Sequence, residues 1–316
     1  MNKRDRFLGS LVGLAVGDCV GAAVEFSPPG TFAPVTDMNG GGPFRLKPGE
    51  WTDDTSMALC LADSLIAGKG FNPEDQMQRY VRWFTEGYLS SINQCFDIGN
   101  ATRDALSRFL KTGEPYSGSK DPYSAGNGSI MRLAPVPLLW SDNMEQAIYY
   151  SGESSKTTHQ AEEAVDACLY FGALIAGAAN GMEKDHLLAR TFVELVESKI
   201  GRSLSPNIKE VAEGSFKHRQ PPIITGSGYV VRSLEAALWA FYLTDDFKEG
   251  LLKVVNLGED SDTTGAIYGQ LAGAHYGISS IPTVWRGKIV QLELIENFAN
   301  GLYELSLIGP GETRRE

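Results

Sequence analysis

The sequence predicts an all-α protein, folded as a compact helical bundle. Three observations carry that expectation. Apolar residues recur at helical spacing along most of the 316 residues, few segments alternate as strands do, and alanine and glycine are frequent within the helical stretches, which favours closely packed axes. In the longest stretch Ala161, Val165, Cys168, Leu169, Gly172, Ala173 and Ala176 fall on one face, with Glu162, Glu163 and Asp166 mostly elsewhere. At 42% hydrophobic composition the chain can bury a sizeable core, and no Pro/Ser-rich linker divides it. One domain over residues 1–316 is expected, with a frayed tail from 309 to 316.

The elements follow in order. A first helix is expected from Arg4 to Gly21. Lys3, Arg4 and Arg6 ahead of Leu8 to Val16 imitate a signal peptide, but Asp18 and Glu25 interrupt the apolar run, and Gly9, Gly13, Gly17 and Gly21 form a small-residue stripe on which a neighbouring helix packs closely. No run is expected to reach the length that spans a membrane. Further helices are expected over Thr55–Ala67, Pro73–Leu89, Asp97–Thr112, Asn143–Ser151, His159–Asn180, Lys184–Ser198, Tyr229–Thr244, Phe247–Leu257, Thr263–Tyr276 and Val290–Asn300. Three loops rich in Gly, Pro and Ser stand between them, Ser27–Lys47, Gly113–Gly128 and Arg219–Gly228, and long irregular loops are usually functional edges or lids.

A net charge of −11 and a pI near 5.0 argue against a nucleic-acid or anionic-membrane surface, while leaving room for a local pocket that takes one phosphate group. Cys19, Cys60, Cys95 and Cys168 are far apart and form no C-x-x-C pair, as expected of buried thiols in a reducing cytoplasm. His159, His186, His218 and His275 are equally scattered, so no zinc site is expected. No apolar seam stands out, and a monomer is expected.

Two stretches carry the chemistry. Gly49 to Leu59 sets Asp53 and Asp54 between Thr52 and Thr55 at the start of a helix, and Asn256 to Ile267 repeats the design with Asp260, Asp262, Thr263 and Thr264. An ordinary capped helix accounts for either alone. Together they place four carboxylates and several hydroxyls where repulsion would oppose folding unless a hard cation such as Mg²⁺ or Mn²⁺ neutralised it, so they read as a metal centre of two ions. Between them, Ala125 to Arg132 is a glycine-rich, donor-rich loop suited either to a turn or to a phosphate or ribose. His159 after Thr157-Thr158 is expected in the first turn of a helix, as a cap or a ligand contact. Tyr229 after Gly226-Ser227-Gly228 is either a core aromatic or a stacking partner. Asp97 and Glu25 are acids beside apolar or small residues; burial would raise the Asp97 carboxyl into a range useful for proton transfer, although an N-cap needs no chemistry.

In this order the motifs resemble the ADP-ribosylglycohydrolase family, most closely its bacterial arginine-specific branch, which includes the dinitrogenase reductase-activating glycohydrolase. The resemblance runs from Phe7-Leu8-Gly9 to about Ile281, through Gly17-Asp18, Glu25-Phe26, Trp51 to Thr55, Phe96 to Asn100, Gly126 to Arg132, Thr158-His159, Gly228 to Val230 and Asp260 to Gly265. It implies an all-α orthogonal bundle. By matching position it implies a dinuclear Mg²⁺ or Mn²⁺ centre on Thr52, Asp53, Asp54, Asp260, Asp262 and Thr263. It also implies an ADP-ribose cleft lined by Asn100, Gly126, Asn127, Gly128, Ser129, Met131, His159 and Tyr229, with Glu25 near the metals and Asp97 catalytic. The implied reaction is removal of ADP-ribose from an ADP-ribosylated protein, at arginine first, with serine or another conjugate, or non-catalytic ADP-ribose binding, as alternatives. Glu259 stands where Asp or Gly is expected, and the loop Pro28–Lys47 fits no family pattern. Asp260-Ser261-Asp262-Thr263-Thr264 also fits the D-x-D-x-T pattern of haloacid-dehalogenase-like phosphatases, a fold that needs a parallel sheet.

Overall fold

The computed structural model describes residues 1–311. Among these residues it contains no β-strand, only the isolated bridges Gly41–Leu46, Ser119–His159 and Gly126–Tyr229, so the parallel sheet of the phosphatase alternative is absent from them. The helices are α1 (Lys3–Gly21), α2 (Asp53–Gly68), α3 (Pro73–Glu86), α4 (Asn100–Thr112), α5 (Pro135–Leu139), α6 (Met144–Lys156), α7 (Glu162–Ala179), α8 (Lys184–Leu187), α9 (Arg190–Ile200), α10 (Pro206–Ala212), α11 (Val230–Leu243), α12 (Phe247–Val255), α13 (Ser261–Tyr276), α14 (Thr283–Arg286) and α15 (Leu292–Ile308).

The differences from expectation are local. α5, α10 and α14 were not foreseen, because four to seven residues are too few to show a helical period. The stretch Lys184–Ser198 is two helices, broken at Leu188-Ala189. α4 starts at Asn100 rather than Asp97, since Asp97 takes a left-handed backbone (φ +61°) and Gly99 is the N-cap. α7 starts at Glu162, so His159 precedes it instead of lying in its first turn. The expected tail from 309 falls mostly outside the described residues; within them, the Gly311 amide donates to the Lys69 carbonyl at 2.8 Å.

α1 and α13 form the spine of the molecule. They run antiparallel with glycine facing glycine: a Cβ added at Gly9, Gly13 or Gly17 would lie 2.2, 2.4 or 2.1 Å from the carbonyl oxygen of Gly273, Gly269 or Gly265. No side chain fits between these backbones. The four-residue stripe read in the first helix therefore has its partner in a matching stripe of α13. Ser10 Oγ donates to the Gln270 carbonyl at 2.9 Å and Ser261 Oγ to the Gly21 carbonyl at 2.8 Å, so both ends of the pair are pinned. Arg6 donates to the carbonyls of Ala274 and His275 at the α13 C-terminus, where exposed carbonyls favour a cation.

Lys3–Val24 is in fact long and apolar enough by length and composition to cross a membrane, contrary to the expectation that no run would be. Its most apolar window is 89% buried inside the protein, against the neighbouring helices. The long loop from Ser27 is anchored as well. Asn256 exchanges two hydrogen bonds with the Val35 backbone (2.7 and 2.9 Å), Trp285 Nε1 donates to Asp37 at 2.5 Å, and the buried Trp51 donates to the Val290 carbonyl at 3.0 Å.

The backbone contact makes a direct prediction. Gly269→Ala puts a methyl 2.0 Å from the Gly13 carbonyl oxygen, which should lower stability by about 3 kcal/mol and the melting temperature by roughly 6–12 °C. Gly68→Ala, in a helical position with open space around it, should be neutral or slightly stabilising. Thermal denaturation of the two variants checks this, and equal melting temperatures would contradict the close contact.

Candidate metal centre and cleft

The antiparallel spine sets the C-terminal end of α1 beside the N-terminal end of α13, and the acids of both ends meet there. Asp18, one residue past the last glycine contact with Gly265, is fully buried. It accepts from the Thr52 amide at 2.9 Å, the Thr55 amide at 3.1 Å and the Thr55 hydroxyl at 2.6 Å. It thus fixes the first turn of α2 and with it Asp53 and Asp54. The Thr52 hydroxyl lies 3.1 Å from Asp54 Oδ2 and 3.4 Å from Asp262 Oδ2, and the Thr263 hydroxyl lies 3.3 Å from the same Asp54 oxygen. Asp260 accepts from Asn127 Nδ2 at 2.8 Å. The two acid stretches, some two hundred residues apart in sequence, are one cluster.

Glu25 and Asp97 complete it. Each offers a carboxylate oxygen that lies, with one of Asp262, within a group whose members are all within 4.8 Å of one another. Three non-glycine residues with left-handed backbone surround them: Phe26 (φ +58°), Asp97 (φ +61°) and Glu259 (φ +55°). Such backbone is uncommon outside glycine and is strained for a bulky residue. Hydrogen bonds hold it, from the Phe26 amide to the Glu259 carbonyl at 2.6 Å and from the Glu259 amide to the Ser27 carbonyl at 2.8 Å. The sequence departure at Glu259 thus falls at a position whose backbone Gly or Asp adopts more readily.

A cleft of about 890 Å³ opens over the cluster, in the size range of small-molecule sites. Of the residues expected to bind substrate or metal, Glu25, Asp53, Asp97, Asn100, Gly126, Asn127, Gly128, Met131, His159, Asp260, Asp262 and Thr263 line it. Thr52 and Asp54 lie buried beneath them. Ser129 and Tyr229 do not line the cleft, a correction to the expectation. The Ser129 hydroxyl points inward, accepting from Ser155 Oγ at 2.9 Å, and the Tyr229 hydroxyl is turned to Glu163 at 2.6 Å, while its backbone pairs with Gly126. All three long loops reach the rim, through Pro28 and Phe44, through Gly126 to Gly128, and through Ser227 and Gly228.

Sequence reasoning gave Asp18 no role in the site, noting it as a break in an apolar run and as part of the Gly17-Asp18 motif. The signal was there: an acid in a helix buried on every side needs partners, and Thr52 and Thr55 are the donors. It also missed the aromatic wall of Phe26 and Phe44, the latter edge-on to Phe96 with ring centres 5.2 Å apart.

The donor set fits hard divalent cations: carboxylate and hydroxyl oxygens, with no sulfur or imidazole among them. Asp54 Oδ1, Glu25 Oε2 and Asp97 Oδ2 are buried without a hydrogen-bond partner, the state in which a cation is the missing neighbour. Burial first, and the neighbouring acids second, push the carboxyls of Asp53, Asp54 and Asp262 well above the usual range. Burial likewise raises Asp18, Glu25, Asp97 and Asp260, with hydrogen bonds from Thr55 and Asn127 holding Asp18 and Asp260 partly back. Two helix N-termini, those of α2 and α13, point their positive ends at the cluster and offset part of the repulsion.

The sequence profile of the ADP-ribosylglycohydrolase family matches residues 1–309. The ADP-ribosylarginine hydrolase Tri1 of Pseudomonas putida is 43% identical over 95% of this chain and 78% of its own, and that of Serratia proteamaculans 40% identical over 96% and 80%. The ADP-ribosyl-[dinitrogen reductase] glycohydrolase of Rhodospirillum rubrum is 33% identical over 90% of each chain. Among solved structures, a chain of an ADP-ribosylglycohydrolase-related protein complex superposes with a TM-score of 0.85 at 45% identity, covering 96% of this chain and 99% of that one.

The raised carboxyls fix the sign of a pH dependence. A group whose folded-state pKa is raised contributes stability that is complete below the unfolded value, about 4 for carboxyls, and that is lost as pH rises through the folded value. Metal-free protein should therefore melt at progressively lower temperature from pH 5 to pH 8. Saturating Mg²⁺ or Mn²⁺ should raise the melting temperature at pH 8 by on the order of 5 °C, and by less at pH 5. A chelated sample whose melting temperature rises with pH would contradict the assignment.

Proposed function

The chain belongs to the ADP-ribosylglycohydrolase family, and from that premise we propose that its cleft hydrolyses the bond between the anomeric carbon of ADP-ribose and an arginine guanidinium of a modified protein. It is a glycosidase-type hydrolase that removes ADP-ribose from protein. The observation that carries the reading is the meeting of Glu25, Asp97 and Asp262 in a cleft that the glycine loop Gly126 to Gly128 also lines.

Thr52, Asp53, Asp54, Asp260, Asp262 and Thr263 would hold two hard divalent cations, Mg²⁺ or Mn²⁺. When bound, such ions supply charge neutralisation and Lewis acidity toward sugar hydroxyl oxygens. The other roles belong to the protein's own groups. Asp97, raised by burial, is placed to move a proton at the scissile C–N bond or at the ribose ring, and its left-handed backbone holds the carboxyl toward Glu25 and Asp262. Two carboxyl groups ordinarily divide such work in glycoside hydrolysis; here Glu25 is the second, buried and beside the first. Gly126 and Gly128 allow backbone amides to approach an anion, and Asn127, tied to Asp260, couples that loop to the acid cluster.

The acceptor side falls to the loop from Pro28 to Lys47, which contributes Phe44 beside Phe26; a guanidinium plane stacks well on aromatic faces. Ser129 and Tyr229 support the glycine loop from behind. The four cysteines are free thiols, which supports a reducing, cytoplasmic setting; a monomer is the working form.

Release of free ADP-ribose from an arginine-ADP-ribosylated protein should require added Mg²⁺ or Mn²⁺ and stop with chelator, while a serine-ADP-ribosylated protein should release little. Asp97→Asn should slow release at least about 100-fold and leave ADP-ribose affinity within roughly 3-fold. Full turnover in that variant would move the proton transfer to another group, and release from the serine substrate alone would overturn the acceptor.

A further inference from the structure

Arg132 is fully buried, and among the described residues no carboxylate pairs with it. A buried cation without a counter-charge is costly and calls for a reason. Its guanidinium lies 4.7 Å from the Tyr80 ring centre, beneath the glycine loop. One nitrogen donates to the Gly128 carbonyl at 2.5 Å, and the other to the Thr158 hydroxyl at 2.7 Å. The Thr158 hydroxyl is in turn 2.9 Å from His159 Nδ1.

A guanidinium has only protons to give, so the Thr158 oxygen accepts from Arg132. Among the described residues His159 Nδ1 is the one acceptor within reach of the Thr158 hydroxyl, and its proton goes there. Nδ1 is then an acceptor, and a neutral ring carries its proton on Nε2. The ring is neutral for two reasons: burial, and next the Arg132 charge, lower the imidazole to about 3. Nε2 has no hydrogen-bond partner among the described residues and faces the glycine loop. A Cβ at Gly126 would stand 3.4 Å from it, and one at Gly128 would stand 3.2 Å from it and 2.8 Å from Cε1. The glycines leave that nitrogen open to the cleft.

We infer that Arg132 and Thr158 are positioning residues that fix the tautomer of His159, so that Nε2–H is held as a neutral donor to the diphosphate of a bound ADP-ribose. This rests on the reading of the cleft as an ADP-ribose site and adds to it the device that orients one contact. Arg132 serves the same end twice, because it also holds the Gly128 carbonyl back from the cleft. Its uncompensated charge favours an anion at the glycine loop.

The test uses the full chain labelled with ¹⁵N-histidine, in which long-range ¹H–¹⁵N correlations distinguish the two neutral tautomers and the imidazolium, with His159→Gln to assign the signal. The wild type should show the Nε2–H tautomer from pH 5 to pH 8. Thr158→Val should admit the Nδ1–H form and weaken ADP-ribose binding about 10-fold, and Thr158→Ser should restore both. Arg132→Met risks misfolding, so the threonine pair decides. An Nδ1–H or charged His159 in the wild type, or a Thr158→Val protein with unchanged tautomer and affinity, overturns the relay. The expected tautomer in a wild type that binds neither ADP-ribose nor inorganic pyrophosphate leaves the proton arrangement standing but overturns its assignment to a diphosphate, and with it the reading of the cleft.

Discussion

The structure depends on the backbone contact between α1 and α13. Glycine at every fourth position on both helices removes the side chains that would otherwise keep two axes apart, and the antiparallel register then leaves no freedom in what meets at the ends. Asp18 arrives from α1 and Glu25 from the turn that follows it, Asp262 from the first turn of α13 and Asp260 from its N-cap. Asp18 captures the first turn of α2 through Thr52 and Thr55, and Asp53 and Asp54 follow. A packing rule expressed in glycines far from the cleft therefore determines the positions of carboxylates within it.

That arrangement is electrostatically unfavourable by itself. Seven acids are drawn into or beside one buried cluster, burial raises each of them, and three of their oxygens have no partner. Strained backbone at Phe26, Asp97 and Glu259 adds to the opposition. What compensates is distributed through the fold: two helix N-termini, the threonine hydroxyls, the Asn127 amide, and the large apolar body around the spine. The cleft is polarised as a result. Its acid floor suits cations and sugar hydroxyls, and its glycine side, backed by Arg132 and His159, suits an anion. A nucleotide sugar is a ligand with both needs.

Much of this was legible in the sequence, and the limits have physical reasons. Paired acids followed by hydroxyls and an apolar run can be read locally, because a helix N-terminus is defined by a few consecutive residues; both acid stretches were found that way. The glycine stripe announced a close partner but could not say which helix, since the matching glycines of α13 lie in another part of the chain. Asp18 was passed over because its meaning depends on Thr52 and Thr55, which only the fold brings to it. His159 and Asp97 were placed on helices they in fact precede, as left-handed backbone and bridge-like turns leave no periodic mark. Ser129 and Tyr229 sit in motifs that border the cleft, yet their hydroxyls turn to Ser155 and Glu163; motif membership fixes a neighbourhood, and side-chain direction is decided by packing.

Titration of metal-free protein with Mn²⁺, followed by electron paramagnetic resonance, decides whether the contact of α1 with α13 builds a cation site or merely crowds acids together. The six-line signal of free Mn²⁺ should stay suppressed until two ions per chain have been added, with a spin-coupled spectrum growing in its place. A free signal that rises in proportion from the first addition, with protein in the tens of micromolar or above, would contradict it.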